Sequence, residues 1–169
     1  TYTEITEFIP ADDNAIMVLF DQVDSVDRVK FTFTYSGDAP IIGVIYAGLA
    51  LAMQRPFYGG HTPITLARET VNRPQVSESG QWIGASVIRR AFSSSAAWKH
   101  LTASWYRTNF DPFAFHASKA LPFFFAWNPD EWPDEVAYCW SNTQIKPVNM
   151  GIRDLMEVSI NLEGYGVEA

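Results

Sequence analysis

A single cysteine, Cys139, excludes an intrachain disulfide and a cysteine-built zinc site from this 169-residue chain. Histidine is nearly as scarce: His61, His100 and His116 lie far apart, and none falls in an HExxH or similar ligand spacing. Positive charge is short as well. Twelve Lys and Arg against nineteen Asp and Glu leave a net charge of −7. That balance argues against a groove that tracks phosphates, and so against sequence-specific nucleic-acid binding. The longest apolar run, residues 40–53, is broken by Gly43 and Gly48 and falls short of the roughly 20 residues a membrane-spanning helix needs, so no membrane span is expected. The start, Thr1-Tyr2-Thr3-Glu4, lacks the basic and apolar regions of a secretory signal and carries no Met. It reads as a processed end or as the beginning of a fragment.

What the chain does have is apolar bulk. Hydrophobic residues make up 47% and charged ones 18%, enough to bury a core and too apolar for disorder. Aromatics reach 15%, more than a small core requires, which points to anchors on contact surfaces. The residue pattern is largely that of strands. Residues 15–20 form an apolar run expected to be a strand buried on both faces. Residues 29–35 alternate strictly, with Val29, Phe31, Phe33 and Tyr35 on one side. Gly37, Asp38 and Pro40 break that pattern and place an internal boundary there. Residues 41–46 and 49–54 flank Ala47-Gly48 and read as a β-hairpin. A strand is expected from Ile64 to Asn72, a turn over residues 77–80, and a long bent strand through residues 86–98 with Ile88, Arg90, Phe92, Ser94, Ala96 and Trp98 on one parity.

Helical signals are confined to residues 102–120. Thr102 suits an N-cap, and Asp111-Pro112 suits a second one, so either two short helices or one kinked helix fits, stopped by Pro122. Residues 123–127 and 136–140 read as paired strands joined by the acidic loop 128–135. Residues 155–163 alternate again, with Met156, Val158, Ile160 and Leu162 inward. About eight strands and one helical patch imply a mainly β, antiparallel domain, a barrel or a sandwich.

No catalytic motif emerges. Gly84-Ala85-Ser86-Val87-Ile88 misses the last glycine of a nucleophile elbow. Gly59-Gly60-His61-Thr62 has the glycines of an anion loop but no GK[ST] and no following helix. Asp130, Glu131, Asp134 and Glu135 could in principle hold Ca²⁺ or serve sugar chemistry, but their spacing is not an EF-hand, and a solvated hairpin tip is the simpler reading. Trp132, set among those acids, either packs back on the core or touches a partner. Cys139 reads as a small apolar strand residue. Neither a cofactor nor a resident metal is expected, and the chain does not read as an enzyme. Arginines, including Arg73, gather in the region of turns and strands. Together with exposed aromatics they give the candidate interface Arg55, Tyr58, Arg68, Trp82, Arg89, Arg90 and Trp132.

Four stretches carry a resemblance. They are residues 41–51 with Gln54-Arg55-Pro56, then Phe110-Asp111-Pro112-Phe113, then residues 122–127, and finally residues 151–156. In this order, over roughly residues 40–165, they resemble minor tail proteins, distal-tail or tail-tip components, of long-tailed bacteriophages and prophages. The resemblance implies a β-barrel or sandwich with a helix that assembles as a homo-oligomeric ring, a trimer or hexamer. It implies tail tube, hub and tip proteins as partners, and a place in the virion after synthesis in the bacterial host cytoplasm. It divides the chain into residues 1–37, the last strands of a jelly-roll-like module, and residues 38–169, the ring-forming domain. Contact with a host-surface glycan is part of the same expectation, and a free carbohydrate-binding sandwich is the alternative to the virion reading.

Overall fold

In the computed structural model, residues 7, 9, 14–21, 26–151 and 153–165 are described. The chain divides into two compact units, Thr1–Ile9 with Val18–Ala52, and Pro10–Met17 with Met53–Ala169.

The second unit holds the regular structure. Six strands lie among the described residues: β1 (Arg68–Val76), β2 (Trp82–Thr102), β3 (Phe123–Ala126), β4 (Val136–Trp140), β5 (Val148–Asn149) and β6 (Leu155–Tyr165). They form one antiparallel sheet in the order β1-β2-β6-β4-β3, with β5 added to β6. The expected mainly β, antiparallel class with one short helix is therefore what the chain adopts. The sheet stays open, with β1 and β3 as its edges, and is not closed into a barrel.

The core follows from alternation. Met156, Val158, Ile160 and Leu162 of β6 are all buried, and Phe92, Ala96 and Trp98 of β2 meet them on the same face. The period then slips. Trp98 pairs with Val158 but Leu101 with Met156, so β2 carries one extra residue, and His100 adopts a positive φ of 62°. This bulge returns Leu101, fully buried, to the core side. Across that face lies one helical segment: Ala103–Trp105, a wide π turn at Tyr106–Phe110, and Asp111–Ser118. Ala103, Tyr106, Phe110 and Ala114 are its buried residues in the core cluster. Sealing a side chain such as Phe110 or Leu101 from water contributes about 2–3 kcal/mol each.

The first unit departs from expectation. Its described residues contain no strand, and neither do residues 14–17 or 53–63. The double-faced strand expected over 15–20 is absent, with Leu19 and Phe20 exposed. Residues 29–35 form no ladder, and their alternating Val29, Phe31, Phe33 and Tyr35 are exposed. The hairpin expected over 41–54 is likewise absent. Gly48 does not take the positive φ such a turn requires, and Ile41 is 100% exposed. Alternation prepares one face for burial but supplies no ladder partner, and the described residues of this chain offer none here. The strand expected from Ile64 is shifted: Ile64–Leu66 is a 3-10 turn, and β1 runs on to Val76.

Candidate functional site

Four of the seven expected interface residues lie on one element. Arg68, Trp82, Arg89 and Arg90 all lie on the hairpin formed by β1 and the first half of β2. The turn that makes it is local. The Gln81 amide donates to Ser77 Oγ at 3.0 Å, Ser77 N donates to Gln81 O at 2.8 Å, and Gly80 takes a φ of 82°. Pro74, which has no N–H to offer, is tolerated because β1 is an edge strand.

Register assigns the faces. Thr70 lies opposite Arg90 and Val71 opposite Arg89. Two bulges follow on β2, at Ile88 and Ile83, so that Asn72 meets Val87, Arg73 meets Ser86 and Val76 meets Trp82. Counting by twos along β1, Arg68, Arg90, Val87, Val76 and Trp82 share the face that continues into the core at Phe92. Arg73, Arg89 and Val71 share the other. The four expected residues are thus divided between two sides, and Arg73 joins Arg89. Arg73 is not in the expected set, and the strand expected there ends at Asn72; Pro74, two positions on, is compatible with a strand only at an edge.

Within its own unit, nothing among the described residues covers this ribbon. All nine residues of β1 are exposed, and so are Trp82, at 65%, Ile83, Val87 and Ile88. Beyond Ala91 β2 gains β6 as a second neighbour and its burial begins. Arg68 is partly committed, since its Nε donates to Thr65 O at 2.9 Å.

The remaining expected residues sit elsewhere. Tyr58 is pinned beside β2, its amide donating to Ala97 O at 2.9 Å and its ring carrying Lys99 Nζ at 4.5 Å. Arg55 is exposed in the bend where Gln54 clamps Thr102, accepting from its amide at 2.8 Å. Trp132 stands 51% exposed in the loop between β3 and β4, with its amide bonded to Asn128 O. Of the four acids in that loop, Glu135 is held inward: Thr65 Oγ1 donates to it at 2.9 Å, and the Trp127 indole N–H donates to its other oxygen. Asp130, Glu131 and Asp134 are exposed.

The titratable side chains of the core pack among apolar and aromatic neighbours. Burial pushes the Cys139 thiol up to about 12, far from a thiolate, and its Sγ contacts Phe123 O. His61 stacks on Phe57 at 4.3 Å and meets the Trp127 ring at 4.9 Å. Burial lowers its pKa against the opposing pull of Glu135, and its buried Nε2 has no partner. The glycines before it, both at positive φ, turn the chain into this aromatic cluster. His116 bonds Pro122 O, and His100 marks the β2 bulge. Among the described residues no three His, Cys, Asp or Glu side chains could hold a metal ion, and no helix is long and apolar enough to cross a membrane. A shallow open depression lined by His100, Met150, Gly151, Arg153 and Leu155 brings together no acid and base pair. What the surface offers is an uncovered ribbon with arginines on both faces and large apolar side chains. No protein-family model, curated protein or solved structure matches the chain.

Proposed function

We propose that the chain is a structural component of a bacteriophage tail tip or baseplate, without catalysis. In this reading it assembles as a homo-oligomeric ring that links the tail tube to tip and receptor-binding proteins. The phage part rests on the four short stretches between residues 40 and 165 that resemble minor tail proteins. The assembly part is carried by the uncovered β1–β2 ribbon. An isolated two-stranded ribbon is marginal in water, and Trp82, Ile83, Val87 and Ile88 give it an apolar surface suited to a protein partner. Arginine and tryptophan are the residue types that most often anchor such contacts. A chain net charge of −7 also suits a channel crossed by DNA, because like charge keeps phosphates from adhering.

Mass spectrometry of gradient-purified phage particles tests this directly. Peptides of this chain at low copy relative to the major tail protein are the expected result, and absence from intact infectious particles overturns the virion reading. A carbohydrate-binding module is the second reading, favoured by the exposed indoles of Trp82 and Trp132, which could stack on sugar rings. It requires glycan binding that is lost on Trp132→Ala.

A further inference from the structure

The charge of this chain is unevenly placed. Residues 68–92 hold four arginines and two glutamates, a net +2, whereas the rest of the chain has eight basic residues against seventeen acidic, a net −9. The most concentrated acid lies in residues 128–135, with four carboxylates and no basic residue. Within the chain the two do not pair. Arg73 and Arg89 make no ion pair among the described residues, and Glu135 alone of the loop acids is engaged, by Thr65 and Trp127. The ribbon springs from the β1 edge of the sheet and the loop joins the strands of the β3 edge. The nine residues of β1 carry the ribbon outward by about 26 Å, at roughly 3.3 Å per residue.

We infer that the β1–β2 ribbon of one copy docks on the acidic β3–β4 loop of a second copy. Arg73 and Arg89 meet Asp130 and Asp134, and Trp132 at the loop packs on Val71, the exposed apolar side chain that shares their face. The occupant is a copy of this chain because the same molecule supplies both charges and leaves Arg73, Arg89, Asp130 and Asp134 without an ion-pair partner among the described residues. Two different patches in contact make a head-to-tail join, which propagates into a ring if the rotation closes. This inference rests on the self-assembly in the proposed function and not on its phage setting. It names the surfaces that assembly uses.

Charge exchange between copies provides the test, read by sedimentation velocity of the full chain over a concentration series. Arg73→Glu with Arg89→Glu sets acid against acid, and Asp130→Arg with Asp134→Arg sets base against base. Each double variant is expected to weaken self-association by about tenfold or more while keeping the parent's circular dichroism. Mixing the two variants is expected to restore it, since every contact between unlike copies is then complementary. Rescue in the mixture is an outcome that loss of folding cannot imitate. Association of the parent is expected to weaken as salt rises. A parent that is monomeric across the series, or a mixture that stays as weak as its components, overturns the inference. Particle proteomics judges the phage reading separately, so one can fail while the other stands.

Discussion

Gly164 is the one described glycine whose position leaves no room for a Cβ. It lies in β6 between Phe92 of β2 and Cys139 of β4, and a Cβ there would come within 2.2 Å of the Phe92 ring and 2.8 Å of Tyr138 O. The first contact could yield by rotation only if Phe92, itself 2% exposed, found room; the second is backbone and cannot yield. Gly164→Ala is therefore expected to destabilise the fold by about 2–3 kcal/mol through overpacking, seen as an earlier urea midpoint at unchanged slope. An unchanged midpoint would mean that the approach of β2, β6 and β4 is looser than described. The strand expected from sequence ends at Glu163, one residue short of this glycine, whereas β6 runs on to Tyr165 and carries it into the sheet. Which side chain fills the space depends on a register that joins residues 72 positions apart, and no local pattern carries that.

Among the elements, the helix was the most legible. Thr102 does cap it, with its Oγ1 accepting from Trp105 N, and Pro122 follows its end. The choice between two helices and one resolves into a single segment with a widened turn. Pro112 has no N–H for the preceding turn, and the π stretch at Tyr106–Phe110 lies immediately before Asp111-Pro112. Asp111 is thus a helical residue and not a second cap. At the other end Ala120 takes φ 55°, the left-handed position that follows many helices and that glycine fills without strain. An L-residue pays roughly 1–2 kcal/mol there, against which glycine's freer unfolded chain offsets about 0.4–1 kcal/mol. Ala120→Gly is accordingly expected to stabilise by about 0.5–1 kcal/mol, measured by chemical denaturation, and a loss of stability would show that the end is not held in this conformation. The ribbon was less legible than the helix. Its turn at residues 77–80 is plain from composition, but the two bulges that distribute its arginines appear only once β1 and β2 are paired.

At the scale of the molecule, the clearest strand pattern and the actual sheet do not coincide. Residues 29–35 alternate as strictly as residues 155–163, yet the latter form β6 and the former form no ladder. The difference is non-local: β6 has β2 along most of its length, with β4 and β5 adding short pairings, while the described residues before Met53 contribute no strand to the sheet. Alternation reports that a segment is suited to a half-buried face, not that a partner is present. The core agrees, since every buried residue in the hydrophobic cluster, from Ile64 to Leu162, and the partly buried Met53 and Phe57 that pack on it, lie at or beyond position 53. Residues 53–169 should then fold without what precedes them, even without Pro10–Met17 of the same unit, since no described residue before Met53 is in the cluster. A chain cut at Met53 is expected to melt in one cooperative transition, within about 5 °C of the full chain, the shift that about 1 kcal/mol produces in a domain of this size. Its near-ultraviolet circular dichroism should retain the signal of the packed Trp98, Tyr106 and Phe110. A broad, non-cooperative melt would show instead that the exposed apolar side chains of residues 26–52 contribute to the sheet's stability, and that their alternation is already used within this chain.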